Sequence, residues 1–181
     1  MAGDGLICTG RLKRFGFVSR CFTNYARRNQ RMKFAILSFT IFGGDFFLKT
    51  YMERHLKGGE EKEICRGRIL LRRHHNSGMA LNMLKNCRTA LKIICGSMLL
   101  LLGSLWFIFL GRKENSGILL GLSLLLGGGA SNFYDRISRG YVIDYFSFCT
   151  PFRWLNQIVF NISDLCIFAG AILGIWNCER G

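Results

Sequence analysis

The chain has 181 residues, of which 50% are hydrophobic and only one is proline, and its 25 basic and 11 acidic residues give a net charge of +14. The apolar residues are clustered in long runs, which argues against a soluble domain and favours an integral membrane protein. The basic residues flank these runs and form no recognised nucleic-acid motif. We therefore attribute them to contact with membrane lipids and expect no nucleic acid as a partner.

In chain order, residues 1–33 are predicted to form a basic cytoplasmic tail, which lacks the continuous apolar core of a signal peptide. Apolar segments follow at about 34–51, 90–110, 117–136 and 159–176. Each is near the roughly 20 residues that a helix needs to cross a bilayer. Residues 34–177 are therefore predicted to be one membrane domain of four transmembrane helices, and residues 178–181 a cytoplasmic C-terminus.

Positive charge beside the spans predicts their orientation. Basic residues next to the first span, and between the second and third, are Arg27, Arg28, Arg31, Lys33, Arg112 and Lys113. These regions are expected on the cytoplasmic side together with both termini. The connection 52–89 is also basic, which argues against this orientation. If the orientation holds, the connections 52–89 and 137–158 lie outside the cytoplasm.

Two aspartates stand at the edges of apolar segments, Asp144 in YVIDYFSF and Asp164 in FNISDLCIF. A carboxylate near hydrocarbon is costly and is usually retained for a function. Both would lie at the outer rim of the membrane, where two neighbouring carboxyls can share one proton, as in aspartic proteases. The structural alternative for each is a helix N-cap or a partner for an arginine. From the residues alone, we predict an intramembrane acid site.

Other polar residues lie near the same depth. Asp45 and Lys49 are four residues apart in the first span, and we favour a structural ion pair over direct catalysis for them. Asn161 precedes Asp164 by three residues and would share its helical face if the helix has already begun. Arg136 either pairs with Asp135, extends to lipid headgroups, or recognises a lipid phosphate or a peptide carbonyl.

Glycines in the third span, at positions 121 and 127–129, are predicted to let a neighbouring helix approach closely. The eight cysteines include no C-x-x-C motif and predict neither a zinc site nor a disulfide framework. His74 and His75 are adjacent and have no acidic ligand at a suitable spacing. We interpret them as part of a solvated loop, and we expect no metal.

Five short blocks, in order along the chain, resemble those of the lipoprotein signal peptidases, also called signal peptidase II. They are GGDFFLK (43–49), NSGMAL (76–81), GGGASNFYDR (127–136), VIDYF (142–146) and FNISD (160–164). Any one block is weak evidence, but five in order are specific. The resemblance implies that the catalytic pair is Asp144 and Asp164. It implies substrate-binding roles for Asn76, Gly78, Asn132, Arg136 and Asn161, and supporting roles for Asp45, Lys49, Ala80 and Asp135.

The same resemblance implies an all-α membrane fold with four transmembrane helices, a small extracytoplasmic β-cradle drawn from residues 52–89, and a mobile segment over the site. It implies a multi-pass enzyme of the bacterial cell membrane, whose substrate is a prolipoprotein carrying diacylglycerol on its lipobox cysteine. Cleavage would fall just before that cysteine, without a metal or organic cofactor.

The chain departs from the family pattern at Leu48, Leu81, Ser131 and Ser163, where threonine or serine, phenylalanine, glycine and alanine are usual. These changes motivate an alternative in which the chain is a non-enzymatic or specialised paralogue that binds lipidated substrates. A carrier that uses Asp45 and Lys49 as an ion relay is a further alternative, but four spans without an internal repeat argue against it.

Overall fold

The computed structural model describes residues 5–78, 88–110 and 116–179. The described residues form five helices and three strands. The elements are α1 (Gly5–His55), β1 (Glu61–Ile64), β2 (Ile69–Asn76), α2 (Arg88–Leu110), α3 (Ser116–Ser138), β3 (Val142–Phe148), α4 (Arg153–Asn156) and α5 (Ile162–Cys178). The architecture is thus mostly helical with one small sheet.

Helices α2 and α3 are long and apolar enough to cross a membrane, and α5 is a shorter apolar helix. Their bounds lie within two residues of the predicted second and third spans because charged or polar residues end the apolar runs. Helix α2 leaves large apolar side chains uncovered, with Leu100 75% and Phe107 76% exposed. Such a surface is suited to lipid rather than to water.

The interior of the helix bundle is polar, which reverses the usual arrangement of a soluble protein. Asp45, Lys49 and Asp135 are at most 1% exposed, and buried serine and asparagine side chains surround them. Ionisable side chains inside a membrane protein normally face the bundle interior and pair with one another. The bundle therefore has an apolar outer surface and a polar centre.

Glycines of α3 allow the close helix packing that the sequence predicted. A Cβ atom added at Gly128 would lie 2.5 Å from the Ser163 carbonyl oxygen of α5, and one at Gly127 would lie 2.8 Å from the Ser38 carbonyl oxygen of α1. Gly121 has the same relation to α5, at 2.8 Å from the Gly170 carbonyl oxygen. Backbones can approach this closely only where no side chain intervenes. Helix α3 is therefore central and contacts α1, α2 and α5.

The three strands form one antiparallel sheet in the order β1-β2-β3. Gly140, at φ +81°, follows α3 and turns the chain into β3, and its amide donates to the Asp135 carbonyl oxygen. In the β2–β3 register, His74 lies opposite Asp144 and Asn76 opposite Val142. A single isolated bridge between Phe146 and Phe160 brings the start of α5 to the sheet.

Three sequence expectations for these elements need correction. The sheet draws its third strand from residues 142–148 and not only from 52–89, because an isolated two-stranded hairpin is marginally stable and a third strand supports it. The fourth apolar helix begins at Ile162 rather than near 159, since Phe160 is held in the bridge to β3. Helix α1 extends beyond the predicted first span at both ends.

Candidate functional site

The side chain of Asp144 lies on the buried strand β3 and accepts hydrogen bonds at both oxygens. Asn161 Nδ2 donates to its Oδ1 at 2.7 Å, and Asn76 Nδ2 donates to its Oδ2 at 3.1 Å. Asn76 is itself oriented, because its Oδ1 accepts the Gly78 backbone N–H at 3.1 Å. Asp144 is only 2% exposed, so these amides replace water around the carboxyl.

Asp164 occupies the third position of α5 and completes a capping box. Asn161 Oδ1 accepts the Asp164 backbone N–H at 2.9 Å, and Asp164 Oδ2 accepts the Asn161 backbone N–H at 3.2 Å. A second amide reaches the carboxyl from α3, where Asn132 Nδ2 donates to Asp164 Oδ1 at 2.8 Å. Asp164 is therefore not the helix N-cap that was its structural alternative; Asn161 is the N-cap, and Asp164 is its partner at the third helical position.

Asn161 connects the two acids because its side-chain amide binds Asp144 while its backbone amide binds Asp164. It is the N-cap of α5, so the helix has not yet begun there and the condition for a helical face shared with Asp164 is not met. Burial, and then the nearby charge of Asp164, raise the pKa of Asp144 to about 7. Two adjacent carboxyls that resist full ionisation can hold a single proton together.

Behind the acids, Asp45 and Lys49 form the predicted ion pair, with Lys49 Nζ 2.7 Å from Asp45 Oδ2. Lys49 also contacts Asp135 Oδ2 at 3.2 Å and donates to Asn132 Oδ1 at 2.7 Å. Ser131 and Ser163 both donate to Asp45 Oδ2. This buried group, which we call the charge cluster, consists of Asp45, Lys49, Ser131, Asp135 and Ser163.

A salt bridge between Asp135 and Arg136, one of the alternatives for that arginine, is not among the ion pairs of the described residues. Asp135 contacts Lys49 and, four residues along its own helix, Arg139 at 3.3 Å. Adjacent residues on a helix point about 100° apart, which separates the side chains of Asp135 and Arg136. Arg136 instead donates to two backbone carbonyl oxygens, those of Asn132 at 3.1 Å and Gly78 at 3.2 Å. It thereby joins α3 to the segment that carries Asn76.

The structure brings Asn76, Gly78, Asn132, Asn161 and the two acids into one connected set of hydrogen bonds. Ala80 and Leu81 lie outside the described residues. His74 and His75 stand on β2 and not in a loop, and His75 Nε2 lies 3.0 Å from Glu53 Oε2. Within the described ranges, no group of three or more potential ligands could hold a metal ion.

Sequence reasoning missed two contributors. Tyr145 is buried, donates to Asp45 Oδ1 at 3.0 Å and accepts the Ile162 N–H at 3.1 Å. Burial, together with the Asp45 charge, raises the pKa of this phenol. Nothing in the sequence marks Tyr145 apart from its position beside Asp144. The second contributor is Arg139, and its spacing of four residues from Asp135 was a usable signal.

Comparisons with known proteins agree on one family. The family model described as signal peptidase (SPase) II matches residues 37–179. The lipoprotein signal peptidase of Streptococcus pneumoniae (strain ATCC BAA-255 / R6) is 26% identical over 139 residues, covering 77% of this chain and 87% of that protein. That of Francisella tularensis subsp. novicida (strain U112) is 30% identical over 147 residues, covering 79% of this chain and 89% of that protein.

A solved structure described as a bacterial membrane enzyme has the same fold, with a TM-score of 0.72 at 24% identity, and covers 82% of this chain and 88% of the other. A second structure of that description gives a TM-score of 0.68 at 25% identity. The fold of the chain is thus that of a membrane-embedded protein with a polar centre. The chain belongs to the signal peptidase II family, and it is accordingly a peptidase.

Proposed function

We propose that this chain is an aspartic endopeptidase of the bacterial cell membrane, which removes the signal peptide of diacylglyceryl-modified prolipoproteins just before the lipidated cysteine. Asp144 and Asp164 are its catalytic pair. Four spans, from the second half of α1, α2, α3 and α5, cross the membrane, with both termini in the cytoplasm. The sheet then lies on the outer side. The lipoprotein signal peptidases that the chain resembles support the choice of substrate.

The observation that carries this proposal is the pair of hydrogen bonds from Asn161, one to each acid. One residue therefore contacts both carboxyls, and the charge of Asp164 acts on Asp144. We infer that a single water molecule lies between the two acids in the working enzyme. In peptide hydrolysis, one carboxylate removes a proton from that water, and the protonated partner donates to the scissile carbonyl oxygen. An Asp144 pKa of about 7 supports the presence of a protonated partner at neutral pH.

The serines that depart from the family pattern do not weaken this proposal. The hydroxyls of Ser131 and Ser163 donate to Asp45 rather than to Asp144 or Asp164. The hydrogen bonds of the acids come instead from Asn76, Asn132 and Asn161. The non-enzymatic alternative was motivated by these serines, and their positions favour an intact acid pair.

The test is cleavage of a diacylglyceryl precursor by purified protein in detergent or liposomes, beside the same precursor without lipid. We expect cleavage of the lipidated form only. Asp144→Asn and Asp164→Asn should each reduce the rate by at least about 1,000-fold, because each removes one partner of the proton transfer. Glu63→Gln, which alters an exposed carboxylate on β1, serves as the control. Near-normal turnover in either aspartate variant would refute the mechanism.

A further inference from the structure

The charge cluster lies directly behind Asn132, the amide that binds Asp164. Lys49 is completely buried, and its ammonium donates to Asn132 Oδ1 at 2.7 Å, one of the shortest contacts that this group makes. Asn132 Nδ2 in turn donates to Asp164 Oδ1 at 2.8 Å. A cation is therefore connected to one of the two acids through a single amide.

The ammonium determines which way this amide points. A lysine ammonium can only donate, so the atom of Asn132 that faces Lys49 must be the oxygen, and the NH2 group must face Asp164. Donation from an NH2 group stabilises a carboxylate, and the positive charge behind the amide polarises that bond further. The hydrogen-bond chain from Lys49 to Asp164 therefore favours the ionised form of that acid.

Among the described residues, no hydrogen-bond chain of this kind joins Asp144 to a cation, and the charge of Lys49 acts on it only through space. Its two donors are the neutral amides of Asn76 and Asn161, whose oxygens accept backbone N–H groups. Asp164 also accepts the Asn161 backbone N–H in the first turn of α5, where the helix dipole favours negative charge. The two acids are chemically alike, but their surroundings differ.

The cluster holds Lys49 in place without cancelling its effect on Asn132. Two carboxylates, Asp45 and Asp135, face the two cations Lys49 and Arg139. Oxygen Oδ2 of Asp45 also accepts the hydroxyls of Ser131 and Ser163, while its Oδ1 accepts Tyr145 Oη. The negative charge of Asp45 is thus shared among several donors rather than by Lys49 alone.

We propose that Lys49 is a positioning residue, which acts through Asn132 to hold Asp164 as the ionised acid and thereby leaves the shared proton on Asp144. This inference rests on the proposed function and adds to it the direction of proton transfer. Asp164 accepts the proton of the attacking water, and Asp144 gives its proton to the scissile carbonyl oxygen, so one proton remains on the pair.

The charged and titratable groups around Asp164 come from three other elements. They are Asp45 and Lys49 on α1, Asp135 and Arg136 on α3, and Asp144 and Tyr145 on β3. Removal of Lys49 alone would leave Asp45 and Asp135 buried with too little positive charge, and such a protein is expected to fold poorly. The test therefore removes the opposing charge at the same time.

Three variants are compared in the full-length protein by the pH dependence of kcat with a diacylglyceryl precursor. Asp45→Asn retains the ammonium and its contact with Asn132. The double variant Asp45→Asn/Lys49→Gln has a neutral hydrogen-bond donor for Asn132 at position 49. The double variant Asp45→Asn/Lys49→Met has neither a donor nor a charge at that position. We expect the acidic limb of the profile to lie about one pH unit higher in both double variants than in Asp45→Asn. We also expect the glutamine variant to exceed the methionine variant in kcat by about tenfold.

A purely structural role would lower activity without moving the acidic limb and would not separate glutamine from methionine. An acidic limb at the same pH in Asp45→Asn and in the glutamine variant overturns the proposal, and this comparison holds even if the methionine variant fails to fold. Thermal unfolding of each variant in detergent identifies a failure to fold. If the unaltered protein cleaves no precursor, the proposed function fails first; if it cleaves and the acidic limbs coincide, only this inference fails.

Discussion

Three asparagine side chains determine the chemical surroundings of the two acids. Each has an oxygen committed to a donor: Asn76 to the Gly78 N–H, Asn132 to Lys49, and Asn161 to the Asp164 N–H. Each NH2 group is therefore directed at a carboxyl. An amide with both ends bound cannot rotate without losing two hydrogen bonds, so the geometry of the acid pair is set before any substrate arrives.

The sequence was sufficient to select these acids and amides, but it did not predict which amide binds which acid. Asp144, Asp164 and the Asp45–Lys49 pair follow from the cost of burying charge and from helical spacing. The contacts of Ser131, Ser163 and Tyr145 with Asp45 join α3, α5 and β3 to α1 across distant parts of the chain. Such contacts depend on how elements pack, which local spacing does not specify.

The raised pKa of Asp144 makes stability depend on pH. An unfolded chain loses this proton near pH 4, whereas the folded protein keeps it until about pH 7, so the group costs stability as pH rises between these values. The full cost, above pH 7, is about 4 kcal/mol. We expect Asp144→Asn to remove it, so that the variant gains stability relative to the unaltered protein between pH 4 and pH 8.

Unfolding measured in detergent at several pH values tests this expectation. In Asp144→Asn, the new NH2 group faces the NH2 group of Asn76 or Asn161, so the variant loses some stability at every pH. The decisive quantity is therefore how the difference in stability between the two proteins changes with pH. Glu63→Gln, at an exposed position, provides the control and should follow the unaltered protein. Parallel curves for Asp144→Asn and the unaltered protein would contradict the raised pKa.

At the level of elements, α3 organises the bundle because it packs against three other helices. Its bounds and those of α2 were predictable from apolar runs with polar ends. The start of α5 was not, since Phe160 continues the apolar run while its backbone bonds to Phe146 of β3. Strand β3 was also missed, because residues buried on both faces lack the alternation that marks a strand.

Close packing of α3 on α5 gives a prediction at this scale. Gly128→Ala would place a methyl group 2.5 Å from the Ser163 carbonyl oxygen, which must displace α5 and the start of the helix that carries Asp164. We expect a loss of about 1–3 kcal/mol in stability, with reduced activity. Gly103→Ala on α2, where a Cβ atom meets nothing within 4 Å, should be neutral or slightly stabilising. Equal effects of the two substitutions on thermal unfolding would contradict this packing.

For the whole molecule, the length of α1 bears on topology. Its 51 residues extend for roughly 75 Å, well beyond the 40–45 Å of a complete bilayer. One span thus accounts for only part of this helix. Hydropathy predicts a span within 34–51 but could not foresee the continuing helix, because basic residues such as Lys and Arg form helices readily.

The proposed topology can be tested with the native cysteines. Cys65 and Cys149 are exposed at the sheet, on the proposed outer side, whereas Cys8 and Cys178 lie near the termini. In single-cysteine variants, a membrane-impermeant maleimide applied to intact cells should modify Cys65 and Cys149. It should reach Cys8 and Cys178 only after lysis. Labelling of all four, or of the terminal pair alone, in intact cells would refute the orientation.

The capping box has a practical consequence for capturing substrates. Asp164 both starts α5 and takes part in the proposed chemistry, so its replacement disturbs the architecture and the reaction together. Asp144 lies on β3, which is held in the sheet by backbone hydrogen bonds. The side chain of Asp144 takes no part in those bonds. An inactive protein intended to trap an uncut precursor for isolation should therefore carry its substitution on the strand and leave the helix start unchanged.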